Sequence, residues 1–336
     1  MMFTLTRVAA LGFGIVLATS ALAHHSTALV YDRGGALIEA EGVITQVAWV
    51  NPHVRFKMRG AGADGVERLW EIESNSVSIV SRFGLNAGLV AEGTRVKVAG
   101  NGGRTANNVL WLTNMLLPNG SEILFGNGIR PRWSQQTIGT DIRGAVTADT
   151  EGRGLFRVWT NVTSPPTFWG TDAPLTPAAA AARAAFDPLA DEPTKNCTPK
   201  GMPFVMEQPY PIEFVREGED ILLKLEEYDT VRFIKMVRAV DNRVARTLLG
   251  RSLGRFEGDT LVVTTTDISY PWFNGTGIPL GEGAAIEERF ALNGDGSRLE
   301  YTMTVTSPAT FTRPVTLRKA WEYRPGEQVH AYECRR

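Results

Sequence analysis

The chain has 336 residues, of which 43% are hydrophobic, and a formal net charge of −1 at pH 7. A chain of this length can form two domains, and its near-neutral charge argues against a protein that binds nucleic acid through a basic surface. The 34 glycines and 18 prolines are spread between short β-branched runs, which predicts a mainly β protein with frequent turns and few short helices.

Residues 1–23 have the pattern of a secretory signal peptide. Arg7 supplies a short basic region, residues 8–18 an apolar run, and Ala21 and Ala23 the small residues of a cleavage site. The apolar run is too short to span a bilayer, and no later stretch reaches the roughly 20 apolar residues that a membrane helix needs. We therefore expect cleavage after Ala23, export to the periplasm, and a mature chain that begins at His24 without a transmembrane segment.

Residues 24–125 are predicted to form the first domain. Its strands are predicted at 42–49, 54–59, 68–72, 94–99 and 108–117. Residues that tolerate positive φ separate them, as in Asp64-Gly65 and Asn119-Gly120. A helix at 74–83, ended by Gly84, is predicted between the third strand and the fourth. This order of elements is typical of a small closed barrel of the OB type.

Residues 126–196 are predicted to be a connector, because they are rich in Pro, Gly and Thr and poor in periodic pattern. A possible strand lies at 154–161. Thr176 as N-cap, Pro177 at the first helical position and the alanine run that follows predict one short helix. A helix of this kind usually packs on a barrel.

Residues 197–336 are predicted to form the second domain. Its strands are predicted at 212–216, 221–228, 231–237, 246–250, 254–256, 260–267, 286–292, 298–305 and 315–323. In the segment 298–305, the apolar Leu299, Tyr301 and Met303 alternate with polar residues, as in a half-buried strand. Eight or nine such strands predict an antiparallel β-barrel, lipocalin-like in general shape, with room for one small ligand.

Cys197 and Cys334 are the two cysteines of the chain. An even pair in an exported protein usually forms a disulfide bond, because the periplasm is oxidising. The sequence therefore predicts one bridge that ties the start of the second domain to the end of the chain.

Two sets of motifs point to a known type of protein. The first set is His24-His25-Ser26, Gly42-Val43-Ile44-Thr45 and Trp49-Val50-Asn51-Pro52-His53. The second set is Pro199-Lys200-Gly201-Met202-Pro203, Pro209-Tyr210-Pro211, Gly254-Arg255-Phe256-Glu257-Gly258-Asp259-Thr260-Leu261-Val262-Val263 and Glu288-Arg289-Phe290. Together they resemble an uncharacterised family of exported bacterial two-domain β proteins, over most of the mature chain. The resemblance implies export and architecture, but no reaction.

The chain departs from this family at three positions. Relatives often carry histidine where this sequence has Asp229, Arg251 and Leu280. The resemblance implies that a site formed by those histidines has either been lost here or been rebuilt for another ligand, and the sequence leaves both open.

The histidines of the first domain form a candidate copper site. After cleavage, the α-amine and the imidazole of His24 would chelate one ion through two nitrogens, and His53 would supply a third. Such a T-shaped set of nitrogen ligands suits Cu(II). His25 is a competing ligand, because cleavage one residue earlier would place it third in the chain, as in square-planar copper or nickel sites. The alternative is a flexible polar N-terminus, with His53 bonded to the backbone and His330 packed or solvated.

Carboxylates, arginines and a tyrosine of the second domain form another candidate site. We assign catalytic roles to Tyr228, Asp229, Arg251 and Glu288. Alternation places Glu288 on an otherwise apolar strand face, where a carboxylate needs a cationic partner. Burial could raise the pKa of such a carboxylate into the range of general acid-base catalysis. The alternative is a structural ion pair inside the barrel, formed with Arg232, Arg251 or Arg255.

A long glycine-rich loop, 267–283, is predicted to help hold a ligand over that site. Residues proposed to contact the ligand are Tyr270, Trp272, Phe273, Arg232 and Arg255. Loops of this kind often act as lids over a binding site, although loop aromatics are also often simple anchors.

These observations give three functional hypotheses. The first is a cell-envelope binding protein with a copper site and a ligand-holding second barrel. The second is a cofactor-independent lyase or isomerase that acts on a small hydrophobic or phenolic molecule. The third is a structural envelope protein. No phosphate-binding loop, dinucleotide fingerprint or Cys-x-x-Cys motif is present in the sequence, so we expect neither a nucleotide nor an organic cofactor.

Overall fold

A computed structural model describes residues 27–140, 146–161, 172–191, 193–194, 197–236 and 245–334. The protein is mainly β with few helices and forms two closed barrels, a small one followed by a larger one, as predicted. The predicted signal peptide, His24 and His25 lie outside the described residues. Among the described residues, no helix is long and apolar enough to cross a membrane.

The N-terminal barrel has the strand order expected of an OB fold. Its elements are α1 (Thr27–Val30), β1 (Leu37–Ala48), β2 (Arg55–Gly62), β3 (Glu67–Glu73), α2 (Val77–Arg82), a 3₁₀ turn (Ala87–Leu89), β4 (Arg95–Gly102) and β5 (Val109–Leu116). The strands follow each other as β3-β2-β1-β4-β5, and a parallel pairing of β3 with β5 closes the ring. Two short strands, β6 (Glu122–Leu124) and β7 (Thr137–Ile138), extend the sheet beyond β5.

Helix α2 connects β3 to β4, as the sequence predicts, and its ends follow from local chemistry. The Ser76 side chain accepts a hydrogen bond from the backbone N–H of Ile79, which caps the helix N-terminus. Gly84 adopts a positive φ of 79° just beyond the last turn, where a residue without Cβ is favoured. Helix α2 is thereby fixed between the two barrels, and it carries two buried polar residues, Ser78 and Arg82.

The C-terminal barrel contains nine strands. They are β8 (Val158–Asn161), β9 (Ile212–Glu217), β10 (Asp220–Leu225), β11 (Thr230–Lys235), β12 (Arg251–Glu257), β13 (Thr260–Thr266), β14 (Ala285–Leu292), β15 (Arg298–Thr306) and β16 (Val315–Glu322). Every neighbouring pair is antiparallel except β11 and β12. A ring with an odd number of strands cannot alternate direction throughout, so one parallel pair is required. Strand β8 comes from the predicted connector and completes this ring.

Two of the predicted strands differ from the structure. The segment 246–250 forms a turn that ends at Gly250, with a φ of 69°, and carries one isolated bridge, from Thr247 to Ile268. Strand β10 ends at Leu225 rather than at Tyr228, because the chain reverses there and both Tyr228 and Asp229 adopt positive φ. Apolar content alone does not separate such turns from strands.

The two ends of the C-terminal barrel are different. At one end, tight hairpins join the strands, with Gly218, Gly258 and Gly296 at positive φ. At the other end, which we call the elaborated end, lie the loop 267–284, the loop 307–314 and residues 199–211. Residues 199–211 are called the plug segment. The plug segment includes a 3₁₀ turn, Phe204–Glu207, and buries Met202 and other apolar side chains in the barrel core.

The remaining described helices lie near the elaborated end. They are α3 (Pro177–Ala185) and α4 (Pro188–Asp191). Helix α3 has the predicted Thr176 N-cap, which accepts from the N–H of Ala179. The backbone N–H of Thr176 also donates to the Thr310 carbonyl, which attaches this helix to the loop between β15 and β16.

The predicted disulfide bond is present. Cys197 and Cys334 are bonded, with their Cα atoms 5.7 Å apart and 137 positions apart in the chain. The bridge holds the C-terminal tail across the elaborated end of the barrel, where the N–H of Tyr332 donates to Asp229. The tail therefore lies at the boundary between the barrels.

Candidate functional site

The first candidate site lies where the described chain begins, and Trp111 of β5 is at its centre. The indole is buried and contacts the rings of Tyr31 and His53, with centroid distances of 5.6 Å and 5.2 Å. The guanidinium of Arg33 lies 5.1 Å from the indole centroid and also donates to the hydroxyl of Thr27 at 3.0 Å. The start of the described chain and His53 therefore contact one residue cluster.

The orientation of His53 is fixed by a backbone hydrogen bond. Its Nδ1 lies 2.9 Å from the carbonyl oxygen of Ser74, and its ring meets Trp111 edge-on at 82°. A carbonyl can only accept, so Nδ1 carries the proton and donates it. Within the described part of the chain, the ring's observed hydrogen bond is the one from Nδ1 to Ser74, and none is seen at Nε2. In the neutral imidazole, Nε2 therefore presents a lone pair.

The charges around His53 are mixed. Burial lowers the pKa of His53, and the cationic side chains of Arg55 and Arg33 lower it further, whereas Glu73 and the bond to Ser74 act in the opposite sense. The imidazole is therefore neutral at physiological pH, which is the form that binds metals. Glu73 also accepts a hydrogen bond from the Tyr31 hydroxyl at 3.1 Å, so the one carboxylate of the cluster is held in place.

The metal ligands predicted beside His53 lie outside the described residues. His24 and His25 precede Thr27, the first described residue. Among the residues that the structure describes, no group of three His, Cys, Asp or Glu side chains is arranged to hold a metal ion. His53 thus supplies one positioned nitrogen, and a complete site depends on the N-terminal residues. The fourth histidine, His330, donates its backbone N–H to Glu226 at the domain boundary.

In the second domain, Glu288 forms the structural ion pair that the sequence allowed as an alternative. Both carboxylate oxygens accept from the guanidinium of Arg232, at 3.0 Å and 2.6 Å, and both side chains are fully buried. Tyr301 donates its hydroxyl to the same carboxylate at 2.7 Å, and Ser252 and Thr265 contact the guanidinium. Burial, followed by the charge of Glu288, raises the pKa of Tyr301 well above its usual value. The barrel interior is filled by this network.

The other predicted catalytic residues have separate partners at the elaborated end of the barrel. Arg251 forms an ion pair with Asp267 at the start of the long loop. Asp229 accepts the backbone N–H of Tyr332, and the Tyr228 hydroxyl donates to the Thr194 carbonyl at 3.4 Å. These contacts attach the long loop to β12 and the chain turn at Tyr228 and Asp229 to Thr194 and the tail. They do not place the three residues around Glu288.

The predicted ligand-contacting residues are mostly packed against protein. Phe273 is buried against Phe311, and Trp272 meets Phe186 of the segment after α3. The ring of Tyr270 lies 6.5 Å from that of Phe204 in the plug segment. Their role as anchors of the loop is thus visible in the contacts. Of the two arginines, Arg232 belongs to the buried pair above, and Arg255 is exposed and bonded to Glu257.

Sequence reasoning missed a buried carboxylate at the domain boundary. Glu226 accepts from the Asn51 amide at 3.1 Å, from the Ser78 hydroxyl at 2.6 Å and from the N–H of His330 at 2.9 Å. Burial raises the pKa of Glu226 to about 7, even though these bonds and the charge of Arg82 favour the ionised form. The donors come from the first domain and from the C-terminal tail, so no local pattern in the sequence marks this group.

A second missed residue is Lys319 of β16. Its ammonium donates to the carbonyls of Met206 and Gln208, at 3.1 Å and 2.5 Å, and lies 4.9 Å from the ring of Trp321. Burial lowers the pKa of Lys319 to about 7. The signal in the sequence was present, because strand alternation places Lys319 on the same face as the apolar Leu317 and Trp321.

The fold and these contacts define an OB-type barrel with one positioned histidine, joined to a larger closed β-barrel with a packed interior. Comparison with known proteins adds a family match for the first of these two parts. Residues 14–110 match the model of a family of unknown function, DUF6152. This agrees with the expected resemblance to an uncharacterised family, and the match covers the N-terminal histidines and His53. No curated protein and no solved structure matches the chain.

Proposed function

We propose that the protein is an exported binding protein of the cell envelope, with a copper site formed by His24, His25 and His53. The observation that supports this most is the hydrogen bond from Nδ1 of His53 to the Ser74 carbonyl. Metal-binding histidines commonly donate their second ring nitrogen in this way, which fixes the tautomer and directs the other nitrogen to the ion. Nε2 of His53 would be the ligand atom.

The N-terminus of the mature chain can reach this histidine. Thr27 contacts Arg33, which lies on Trp111, and His53 meets the same indole. His24 is three positions before Thr27 in the sequence. Three extended residues span about 10 Å, which is enough to bring an N-terminal amine and imidazole to the cluster.

The residues present suit copper better than harder ions. A terminal amine and neutral imidazoles are nitrogen donors, which Cu(II) prefers in a tetragonal arrangement, whereas Mg²⁺ and Ca²⁺ prefer oxygen. Cleavage after Ala23 would make His24 a two-nitrogen chelate and leave His25 as a further donor. Bound copper would supply a Lewis-acidic, redox-active centre, and the chain itself would orient Nε2 of His53.

This proposal is tested by blocking the terminal amine. We would compare protein processed after Ala23, verified by N-terminal sequencing, with a variant that carries one extra alanine before His24. Copper affinity is measured by titration against a competing chelator, and the ligand field by EPR. The proposal predicts weaker binding and an altered EPR spectrum in the extended variant. Equal affinity and an identical spectrum in the two proteins would contradict it.

We further propose that the C-terminal barrel holds a small apolar ligand. The interior of this barrel is occupied by packed side chains and by the pair of Arg232 and Glu288. A ligand would therefore bind at the wall or at the elaborated end. Binding of a small apolar molecule to metal-free protein, measured by calorimetry, tests this part independently of copper.

A further inference from the structure

The wall of the C-terminal barrel is incomplete between β11 and β12. These strands pair at two positions, Ile234 with Ser252 and Lys235 with Leu253. The first half of β11, from Thr230 to Phe233, has no ladder partner on that side within the described chain. The parallel pair that an odd-numbered ring requires is thus a short junction.

A groove occupies this gap. Its volume is about 470 Å³, and it is lined by Pro199, Lys200, Thr230, Val231, Thr247, Leu248 and Leu249. This volume lies within the range of small-molecule sites, which are typically lined by apolar side chains with a few polar groups. Val231 and Leu248 are 39% and 41% exposed, so the groove presents apolar surface to solvent. Such surface is favourable for an apolar molecule to cover.

One end of the groove is polar and electrically balanced. The ammonium of Lys200 lies 2.8 Å from Oε1 of Glu227 and 4.4 Å from the ring of Phe204. Glu227 is 5% exposed, and its other oxygen, Oε2, has no hydrogen-bond partner among the described residues. Thr230 lines the groove and donates its hydroxyl to the backbone carbonyl of Glu227 at 2.7 Å. Glu227 therefore lies directly behind the groove wall.

We propose that this groove binds a neutral molecule with an apolar body and a hydroxyl head, such as an alkylphenol or an apolar alcohol. This inference rests on the proposal that the C-terminal barrel holds an apolar ligand, and it adds the place and the chemical class. The apolar body would cover Val231 and Leu248. The hydroxyl would accept a hydrogen bond from the Lys200 ammonium. After a side-chain rotation that brings the buried Oε2 of Glu227 to the groove, the hydroxyl would donate one to that oxygen.

The balanced charge at the polar end of the groove determines which polar head group a ligand can carry. A ligand carboxylate would be attracted by Lys200 but repelled by the negative charge of Glu227. A ligand ammonium group would be attracted by Glu227 but repelled by Lys200. Each would also lose its hydration on entering an apolar groove. A hydroxyl is both donor and acceptor, so it satisfies both side chains without bringing an unpaired charge.

The test measures binding of three probes of similar size to metal-free protein: 4-butylphenol, butylbenzene and 4-butylbenzoate. We expect the phenol to bind about 10-fold more tightly than either other probe, because one or two hydrogen bonds are worth that much. In Val231→Asp, which places a carboxylate in the groove wall, we expect phenol affinity to fall at least about 10-fold. In Glu227→Gln, the preference for phenol over butylbenzene should shrink.

The matched control is Phe256→Asp, which adds the same charge at an exposed apolar position of β12 that does not line the groove. It should bind the phenol as the wild type does, and thermal unfolding verifies that each variant is folded. Equal phenol binding by Val231→Asp and wild type would overturn the groove while leaving ligand binding by the barrel in place. Failure of the wild type to bind any probe would overturn both, and a preference for the benzoate would overturn the neutral head.

Discussion

The surroundings of Glu226 oppose its ionisation. Its pKa is raised to about 7 by burial, whereas an unfolded chain would ionise it near its ordinary value of 4.5. Between these values the folded protein binds more protons than the unfolded one, so stability should fall as pH rises from about 4.5 to 7. The lost stability is at most about 3 kcal/mol, from the size of the shift.

Glu226→Gln should remove this dependence, because glutamine keeps an acceptor for Ser78 and His330 without a charge. We expect the variant to be more stable than wild type at pH 8, and its free energy of unfolding to change less between pH 5 and 8. Urea unfolding across that range measures this, with Glu300→Gln as control, since Glu300 is exposed and paired with Arg298. An identical pH slope in Glu226→Gln and wild type would contradict the assignment.

The buried pair of Arg232 and Glu288 makes a different prediction at the residue scale. Arg232→Met leaves the Glu288 carboxylate buried with the Tyr301 hydroxyl as its main donor. We expect a loss of about 3–5 kcal/mol in the free energy of unfolding. The double variant Arg232→Met, Glu288→Leu should recover most of it, because no charge remains buried.

Denaturant unfolding of both variants measures this. Arg255→Met serves as control, since Arg255 and Glu257 form a solvent-exposed pair of the kind that contributes little to stability. If the double variant is as unstable as Arg232→Met, the pair has a role beyond neutralising a buried charge.

At the scale of elements, one lysine side chain holds the backbone of the plug segment through hydrogen bonds. Lys319 donates to two carbonyls of this segment, those of Met206 and Gln208. Lys319→Met keeps an apolar side chain but removes both bonds, so the backbone amides of residues 202–208 should exchange hydrogen about 10-fold faster.

Exchange followed by mass spectrometry tests this prediction. Lys235→Met is the matched control, because Lys235 forms a surface pair with Asp220 at the hairpin end of the barrel, opposite the plug segment. Unchanged exchange in the plug segment of Lys319→Met would show that apolar packing alone retains it.

The elements themselves were largely predictable, because their signals are local. Turn residues and the Gly84 stop placed α2 between β3 and β4, and strand alternation located most of β9 to β16. The strand predicted at 246–250 was wrong, since its apolar residues, including Leu248, line a groove instead of pairing in a strand. The parallel pairing of β11 with β12 leaves no local trace in the sequence.

The candidate site was less predictable, because its parts come from distant strands. His53 was identifiable from its residue type. Its neighbours Ser74 and Trp111 were not, because the parallel pairing of β3 with β5 brings them together by setting Glu73 opposite Trp111. Alternation allowed Glu288 to be assigned an arginine partner but could not choose among three. The structure identifies Arg232 as that partner. The catalytic roles assigned to Tyr228, Asp229, Arg251 and Glu288 stay predictions.

At the scale of the whole molecule, the disulfide bond ties the C-terminal tail to the start of the second domain across 137 positions. In the chain-entropy model, closing a loop of this length stabilises the fold by up to about 5 kcal/mol. The variant Cys197→Ser, Cys334→Ser should therefore unfold at lower denaturant concentration. Reducing agent should shift wild type toward the variant and leave the variant unchanged, and equal midpoints of oxidised and reduced wild type would contradict this.

The two barrels also divide the proposed functions. The N-terminal barrel positions His53 beside the start of the described chain, and the wall of the C-terminal barrel provides the apolar groove. Glu226 and the tail connect the two barrels through hydrogen bonds with Asn51.

Copper affinity of the His53→Ala variant tests the central claim most directly. Protein processed after Ala23 and carrying this substitution should bind Cu(II) more than about 100-fold more weakly than wild type, since loss of even an outer partner of a metal site costs 10–100-fold. His330→Ala, which removes an imidazole but keeps the N–H bonded to Glu226, should bind like wild type. Equal copper affinity and EPR spectra in His53→Ala and wild type would contradict the account.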